Sequence, residues 1–160
     1  MLKPAILYKE EIEKAFAEQL YTDDFFLYSG YGICNSLPEI KAEDGQYQWA
    51  VLDQKNNLIG YFSYRIQLET DTVYNFGMYS FKRGNPYFGK VIFNKMEELV
   101  KAHRRIEWRM IGGNPVENSY DRFCERHHGK KHVFEDCTID LYGNYHDDVV
   151  YEILKKYDHD

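Results

Sequence analysis

The chain has few of the residues that hold small proteins together by means other than a packed core. Its 160 residues include three cysteines, Cys34, Cys124 and Cys137, and four prolines. An odd cysteine count with no C-x-x-C spacing offers neither a disulfide framework nor a zinc ligand set, so free thiols and no metal are expected. No apolar run approaches the roughly 20 residues of a membrane span. The opening Met1–Glu10 lacks the apolar core of a signal peptide, so a cytoplasmic location without a membrane partner is the expectation. Positive charge is also in deficit. Twenty Lys and Arg against twenty-six Asp and Glu leave a formal net charge of −6, the reverse of the basic footprint a nucleic-acid binder needs. No repeat, low-complexity block or Gly/Ser/Pro linker divides the chain, so one domain over residues 1–160 is expected, long enough to bury a core without staples.

What the chain has in abundance is aromatic side chains, fifteen Tyr and ten Phe. They suit both cores and the walls of ligand clefts. Ile12, Ala15, Phe16 and Leu20 fall at helical spacing and predict a helix over Tyr8–Leu20, preceded by a short strand at Ala5–Leu7. The aromatic stretch Tyr21–Tyr31 predicts a second helical segment, and Leu37–Gly45 a loop. The period then changes to two. Strands are predicted over Tyr47–Leu52, Leu58–Gln67 and Val73–Phe81, joined by turns too short for parallel crossovers. Phe88, Val91, Ile92, Met96 and Leu99 mark a helix from Pro86 to Lys101. A strand follows over Arg105–Ile111, a helix over Val116–His128, and closing strands over His132–Leu141 and Val149–Leu154. The last of these is read as strand because it is β-branched and aromatic.

The turn between the third of these strands and the long helix carries most of the chemical information. Asn85 is a good N-cap and Pro86 fits the first helical position. A helix start presents backbone N–H groups and the positive end of the helix dipole, which favours anions. Lys82, Arg83 and Lys90 add charge nearby. A plain structural helix start accounts for the same residues. Elsewhere, Glu69, Asp71 and Glu107 are base candidates that read equally as solvated positions. Asp23 and Asp24 could meet a cationic substrate, and a solvated helix start is the other, plainer reading of them. His127, His128 and His132 diverge on a helix end and make a poor metal set.

The segments Gly84-Asn-Pro-Tyr-Phe-Gly-Lys90 and Gly113-Asn-Pro-Val-Glu-Asn-Ser-Tyr-Asp-Arg-Phe123, together with the element order over Tyr47–Leu154, resemble the GNAT superfamily of N-acetyltransferases. Gly89 matches the last glycine of the family's phosphate-binding turn. Tyr87 stands for the first glycine, Gly84 for the usual Gln or Arg, and Arg83 lies one place early. The resemblance implies an α/β (α+β) fold: a central, mostly antiparallel sheet of six to seven strands with flanking helices. It implies acetyl-CoA as co-substrate, held by Tyr79, Ser80, Phe81, Arg83, Gly84, Asn85, Tyr87, Phe88, Gly89, Lys90 and Asn114. It also implies that the strands Val73–Phe81 and Arg105–Ile111 splay apart. Gly77 would either mark the bulge that starts the splay or clear space for a neighbouring aromatic ring.

Tyr120 lies on the helix that supplies the family's catalytic acid, and packing on the sheet is its other role. The implied activity is transfer of an acetyl or acyl group to a primary amine, on a small molecule or a peptide, by direct attack. The alternative is a domain of this fold that binds CoA or another small ligand without turnover. An unrelated α+β module with an aromatic concave face is a third reading. A homodimer is compatible with each.

Overall fold

The computed structural model describes residues 1–22, 24–29 and 37–155. Cys34 and Asp23 lie outside the described residues. The elements in chain order are β1 (Leu2–Pro4), a 3-10 turn (Ala5–Tyr8), α1 (Lys9–Gln19), α2 (Phe25–Ser29), β2 (Gln46–Leu52), β3 (Leu58–Gln67) and β4 (Thr72–Ser80). They continue with α3 (Pro86–Ala102), β5 (Arg105–Ile111), α4 (Glu117–Arg126), β6 (Lys130–Ile139) and β7 (Tyr145–Leu154). All seven strands join one sheet in the order β1-β2-β3-β4-β5-β7-β6. Every neighbouring pair is antiparallel except β4 and β5. The mostly antiparallel α+β architecture read from the sequence is therefore the observed one. No described helix is long and apolar enough to cross a membrane.

One short element differs from the sequence reading. Ala5–Leu7 is a 3-10 turn rather than a strand, and the strand lies just before it, pairing Leu2, Lys3 and Pro4 with Val51, Ala50 and Trp49. Three apolar residues in a row carry no period, so their pattern could not distinguish the two. Pro4 is tolerated because β1 is an edge strand, where a missing N–H breaks no inner ladder. β7 also begins earlier than expected, at Tyr145, in register with both β5 and β6.

The pleat sorts the core into two layers. On one face, α3 and α4 lay Ile92, Met96, Leu99, Tyr120 and Phe123 against Val51, Phe62, Ile106, Trp108 and Tyr151. On the other, Ile12 and Phe16 of α1 and Phe25 of α2 cover Ala50, Leu52, Tyr61 and Tyr79. Trp108 and Tyr151 stack at 5.1 Å on neighbouring strands. Gly60 of β3 lets α3 approach closely. A Cβ there would lie 2.3 Å from the Phe88 ring and 2.7 Å from the Tyr79 carbonyl oxygen. Cys124 is buried, Cys137 is exposed, and both are free thiols.

Met96 is fully buried at the centre of the α3 face. Met96→Asp is expected to destabilise the domain by several kcal/mol, since it puts a carboxylate where an apolar side chain was packed. Denaturant unfolding of the variant checks this.

Candidate functional site

The sheet opens between β4 and β5. The two strands pair in parallel only at Thr72–Arg105 and Val73–Ile106, and beyond these residues no pairing continues. A bulge in β4 accompanies the parting. Ser63 faces Gly77 and Arg65 faces Tyr74, so Asn75 and Phe76 together oppose the single residue Tyr64. Asn75 takes φ +52°, a left-handed conformation that an extra bulged residue can require. Gly77 adjoins this bulge, and its missing Cβ leaves room for the Ser63 hydroxyl, which would otherwise lie 2.6 Å away.

A cavity of about 400 Å³ occupies the gap. Phe76, Met78 and Ser80 of β4 form one wall and Arg109 and Met110 of β5 the other. The turn Arg83–Pro86, the first turns of α3, the Asn114–Val116 loop, α4 and α2 complete it. A parallel pair joined through a helix must start both strands at the same end, so the turn after β4 and the loop after β5 meet at the other end. That places residues distant in sequence around one opening.

Of the residues implicated by sequence, Ser80, Arg83, Gly84, Asn85, Phe88, Gly89, Asn114 and Tyr120 line this cavity. Tyr79, Phe81, Tyr87 and Lys90 do not. Tyr79 points to the opposite face, buried between the Phe16 and Phe25 rings, where burial pushes its hydroxyl pKa up to about 12. Phe81 packs edge-on against Phe16 on that same face. These placements follow from the pleat, since neighbours of Ser80 in an extended strand face away from it. Tyr87 turns its hydroxyl to the Met1 amine at 3.3 Å, and Lys90 is exposed on α3.

The helix start is already partly satisfied by the chain itself. Asn85 Oδ1 accepts from the Tyr87 N–H at 3.0 Å, and the Asn85 carbonyl accepts from the Phe88 N–H at 3.2 Å. Pro86 has no N–H to offer. The first turn therefore has fewer open donors than its sequence suggests, although a Cβ at Gly84 or Gly89 would meet no atom within 4 Å. Arg83 is not a lone surface cation. It ion-pairs with Asp24 and lies 4.1 Å over the Tyr28 ring. Asp24 is thus paired with Arg83, neither open to a cationic substrate nor merely solvated.

Tyr120 is buried, and burial raises its hydroxyl pKa well above the ordinary value. Its hydroxyl reaches Met78 Sδ at 3.4 Å across the cavity, and its ring packs on Trp108 and Phe93. The base candidates lie elsewhere. Asp71 caps the closed end of the sheet, accepting from the Arg104 N–H at 2.8 Å and meeting His103 Nδ1 at 2.7 Å. Glu107 pairs with Arg105, and Glu69 sits exposed in the β3–β4 turn. His127 meets Glu97 at 3.1 Å while His132 lies in β6, so the histidines do not converge.

Sequence reasoning did not find the part played by α2. Asn114 Nδ2 donates to the Leu27 carbonyl at 3.2 Å, and its Oδ1 accepts from the Val116 N–H at 3.1 Å. With Arg83 on Asp24 and Tyr28, this fastens α2 along the opening. No local pattern carries that information, because each tether spans at least 55 residues (59 for Arg83 to Asp24 and 87 for Asn114 to Leu27).

No family model matches the sequence, and no curated protein matches it. Solved structures do. A protein from Chromobacterium violaceum assigned to the GNAT acetyltransferases superposes with a TM-score of 0.63 at 15% identity, over 96% of this chain and 85% of that one. Spermidine/spermine N-acetyltransferase SpeG from Vibrio cholerae superposes with a TM-score of 0.56 at 13% identity, over 91% and 74%. A third structure, assigned as an acetyltransferase, shares 23% identity with a TM-score of 0.50, over 70% of this chain. This chain spans 58% of that protein's length. The likeness is one of fold: the seven-stranded sheet and its flanking helices are those of the GNAT acetyltransferases.

Asn114→Ala removes both the cap on the loop and the tether on α2. It is expected to cost about 1–3 kcal/mol, because the Leu27 carbonyl and Val116 N–H lose their partner. Hydrogen exchange at Phe25–Ser29 is expected to accelerate more than exchange in β5.

Proposed function

We propose that this chain, which has the fold of the GNAT acetyltransferases, transfers an acyl group from acetyl-CoA to a primary amine. The observation that carries the reading is the cavity between the parted strands, open at one end to the start of α3 and reaching the buried Tyr120 hydroxyl. The facing edges of β4 and β5 leave backbone groups that an extended amide-bearing ligand can satisfy as an added strand. The positive end of α3 favours phosphate oxygens at the mouth. The apolar wall of Phe76, Met78, Phe93 and Met110 suits the thioester end and excludes water from it.

In this reading the amine nitrogen attacks the thioester carbonyl carbon. A C–N bond forms, the C–S bond breaks, and the sulfur leaves with the electron pair. The Tyr120 hydroxyl gives its proton to that sulfur, the ammonium of the tetrahedral adduct releases one to solvent, and Tyr120 regains one from solvent before the next turnover. Tyr120→Phe keeps the ring packing and is expected to lower kcat about 100-fold. Steady-state thiol release with a reactive amine measures it.

A domain that binds the donor without turnover is the second reading. It is favoured by the engagement of two first-turn donors with Asn85 and of Arg83 with Asp24. Titration with acetyl-CoA tests the shared part of both readings. Gly89→Glu puts bulk and negative charge into the mouth, where space is open, and is expected to weaken acetyl-CoA at least about tenfold. Arg83→Ala leaves Asp24 unpaired beside the phosphates and is expected to weaken it by a smaller factor. Adding Asp24→Asn to Arg83→Ala should restore part of that loss. Equal affinity of parent and Gly89→Glu would reject this turn as the phosphate site.

A further inference from the structure

β6 is the last strand of the sheet, and among the described residues its outer edge pairs with no other strand. Residues 130–137 are all exposed. A strand of an antiparallel sheet commonly turns one face to a core, so that only alternate side chains meet water. Here two consecutive apolar residues, on opposite faces of the strand, are both open: Val133 at 50% and Phe134 at 49%. A partner packed on one face of the sheet would cover only one of them. A strand added beside β6 covers both.

Charge is ordered along the same edge. Lys130 and Lys131 precede the apolar pair, and Glu135 and Asp136 follow it. Lys131 is held by Glu117 at 2.8 Å and Asp121 at 2.9 Å. Lys130, Glu135 and Asp136 have no ion-pair partner among the described residues. Charge that only guards an edge needs no order of sign. This edge carries opposite signs at its two ends and apolar residues between them, which is the pattern that complements itself when reversed.

We propose that β6 pairs antiparallel with β6 of a second copy of this chain, about a two-fold axis at Val133. Such an axis keeps the helices of both copies on the same sides, so opposed residues share a face and one residue opposes itself. Val133 at the axis puts Lys130 opposite the partner's Asp136 and Lys131 opposite the partner's Glu135, each twice. Centring on His132 or Phe134 leaves both lysines opposite uncharged residues. With Val133 at the axis, His132 meets the partner's Phe134, so apolar area is covered at the centre and charge lies at the rim. The register shift between Phe134 and Thr138 and the positive φ of Asp136 end the regular ladder after Phe134. Glu135 and Asp136 therefore contribute charge rather than backbone pairing, and a dissociation constant of about 10–100 µM is expected. The other edge of the sheet, β1, is three residues long and ends in Pro4, so β6 finds no comparable edge there and assembly closes at two copies. The pairing is independent of the acyltransferase reading, since β7 lies between β6 and the parted strands.

Sedimentation of the full chain from about 5 to about 500 µM tests the pairing. The mass is expected to rise from the 19.1 kDa of one chain towards twice that value. Lys130→Glu alone and Asp136→Lys alone each bring like charges together at both ends, and each is expected to weaken association at least about tenfold. An equimolar mixture of the two variants has opposite charges at both ends again, and a heterodimer of about the parent affinity is expected. Cross-linking in a Cys34→Ser, Cys137→Ser background reads the register. Oxidised Val133→Cys is expected to give a disulfide-linked dimer, because opposed residues lie within about 5.5 Å. Phe134→Cys is not, because its counterpart is a diagonal neighbour at about 7–8 Å. Melting temperature checks that each variant is folded. A mass that stays at one chain throughout the range overturns the inference. Association unmoved by both charge changes, or cross-linking through Phe134→Cys rather than Val133→Cys, overturns it as well.

Discussion

Between β4 and β5 the sheet is held by two residue pairs, and everything at the candidate site follows from how little that is. A continuous ladder there would have closed the gap with backbone hydrogen bonds and left no cavity. The bulge at Asn75–Phe76 shifts the register of β4 by one residue on its β3 side, and the strand then leans on β3 alone. Both strands keep one paired edge, to β3 and to β7, so the parting costs the sheet little of its ladder. Two facing edges with unpaired polar groups and an apolar floor make a place for an extended ligand that can hydrogen-bond like a strand.

The closed end of the same sheet shows why the parting stops at Thr72 and Val73. Asp71 accepts from the Arg104 N–H and meets the His103 ring, and its carbonyl accepts from the Arg105 N–H. Those contacts bind the start of β4 to the start of β5. They hold the Asp71 carboxyl below the usual carboxylate range, the His103 hydrogen bond being the largest cause. A residue that looks like a candidate base in the sequence is the pin of the hinge end. The gap opens away from it, toward the turn and toward Asn114.

Long elements with a clear period were legible in the sequence. The Phe88–Leu99 spacing, the alternation through Arg105–Ile111 and the Asn85–Pro86 helix start each correspond to an observed element, because local residues alone determine them. The site was legible where it is made of one continuous turn, Arg83 to Gly89. It was not legible where side-chain direction or distant partners decide. Tyr79 and Phe81 are neighbours of a cavity-lining residue, and the pleat turns them to the other face. Arg83 reads as a free cation until Asp24 and Tyr28 are brought to it. Gly77 reads as either a bulge marker or a space-maker for an aromatic ring; it adjoins the bulge at Asn75–Phe76, and the room it leaves is taken by the Ser63 hydroxyl.

Gly60, the third residue of β3, does not itself line the cavity, yet it sets how closely the start of α3 approaches the sheet. The Phe88 ring occupies the space a side chain at Gly60 would fill. Phe88 is one helical step from Gly89, so the height of the helix mouth above the sheet is gauged by an absent methyl group one strand away. A search of sequence space confined to the cavity walls would treat that dimension as fixed. It is in fact an adjustable one, controlled from a site that no ligand would contact.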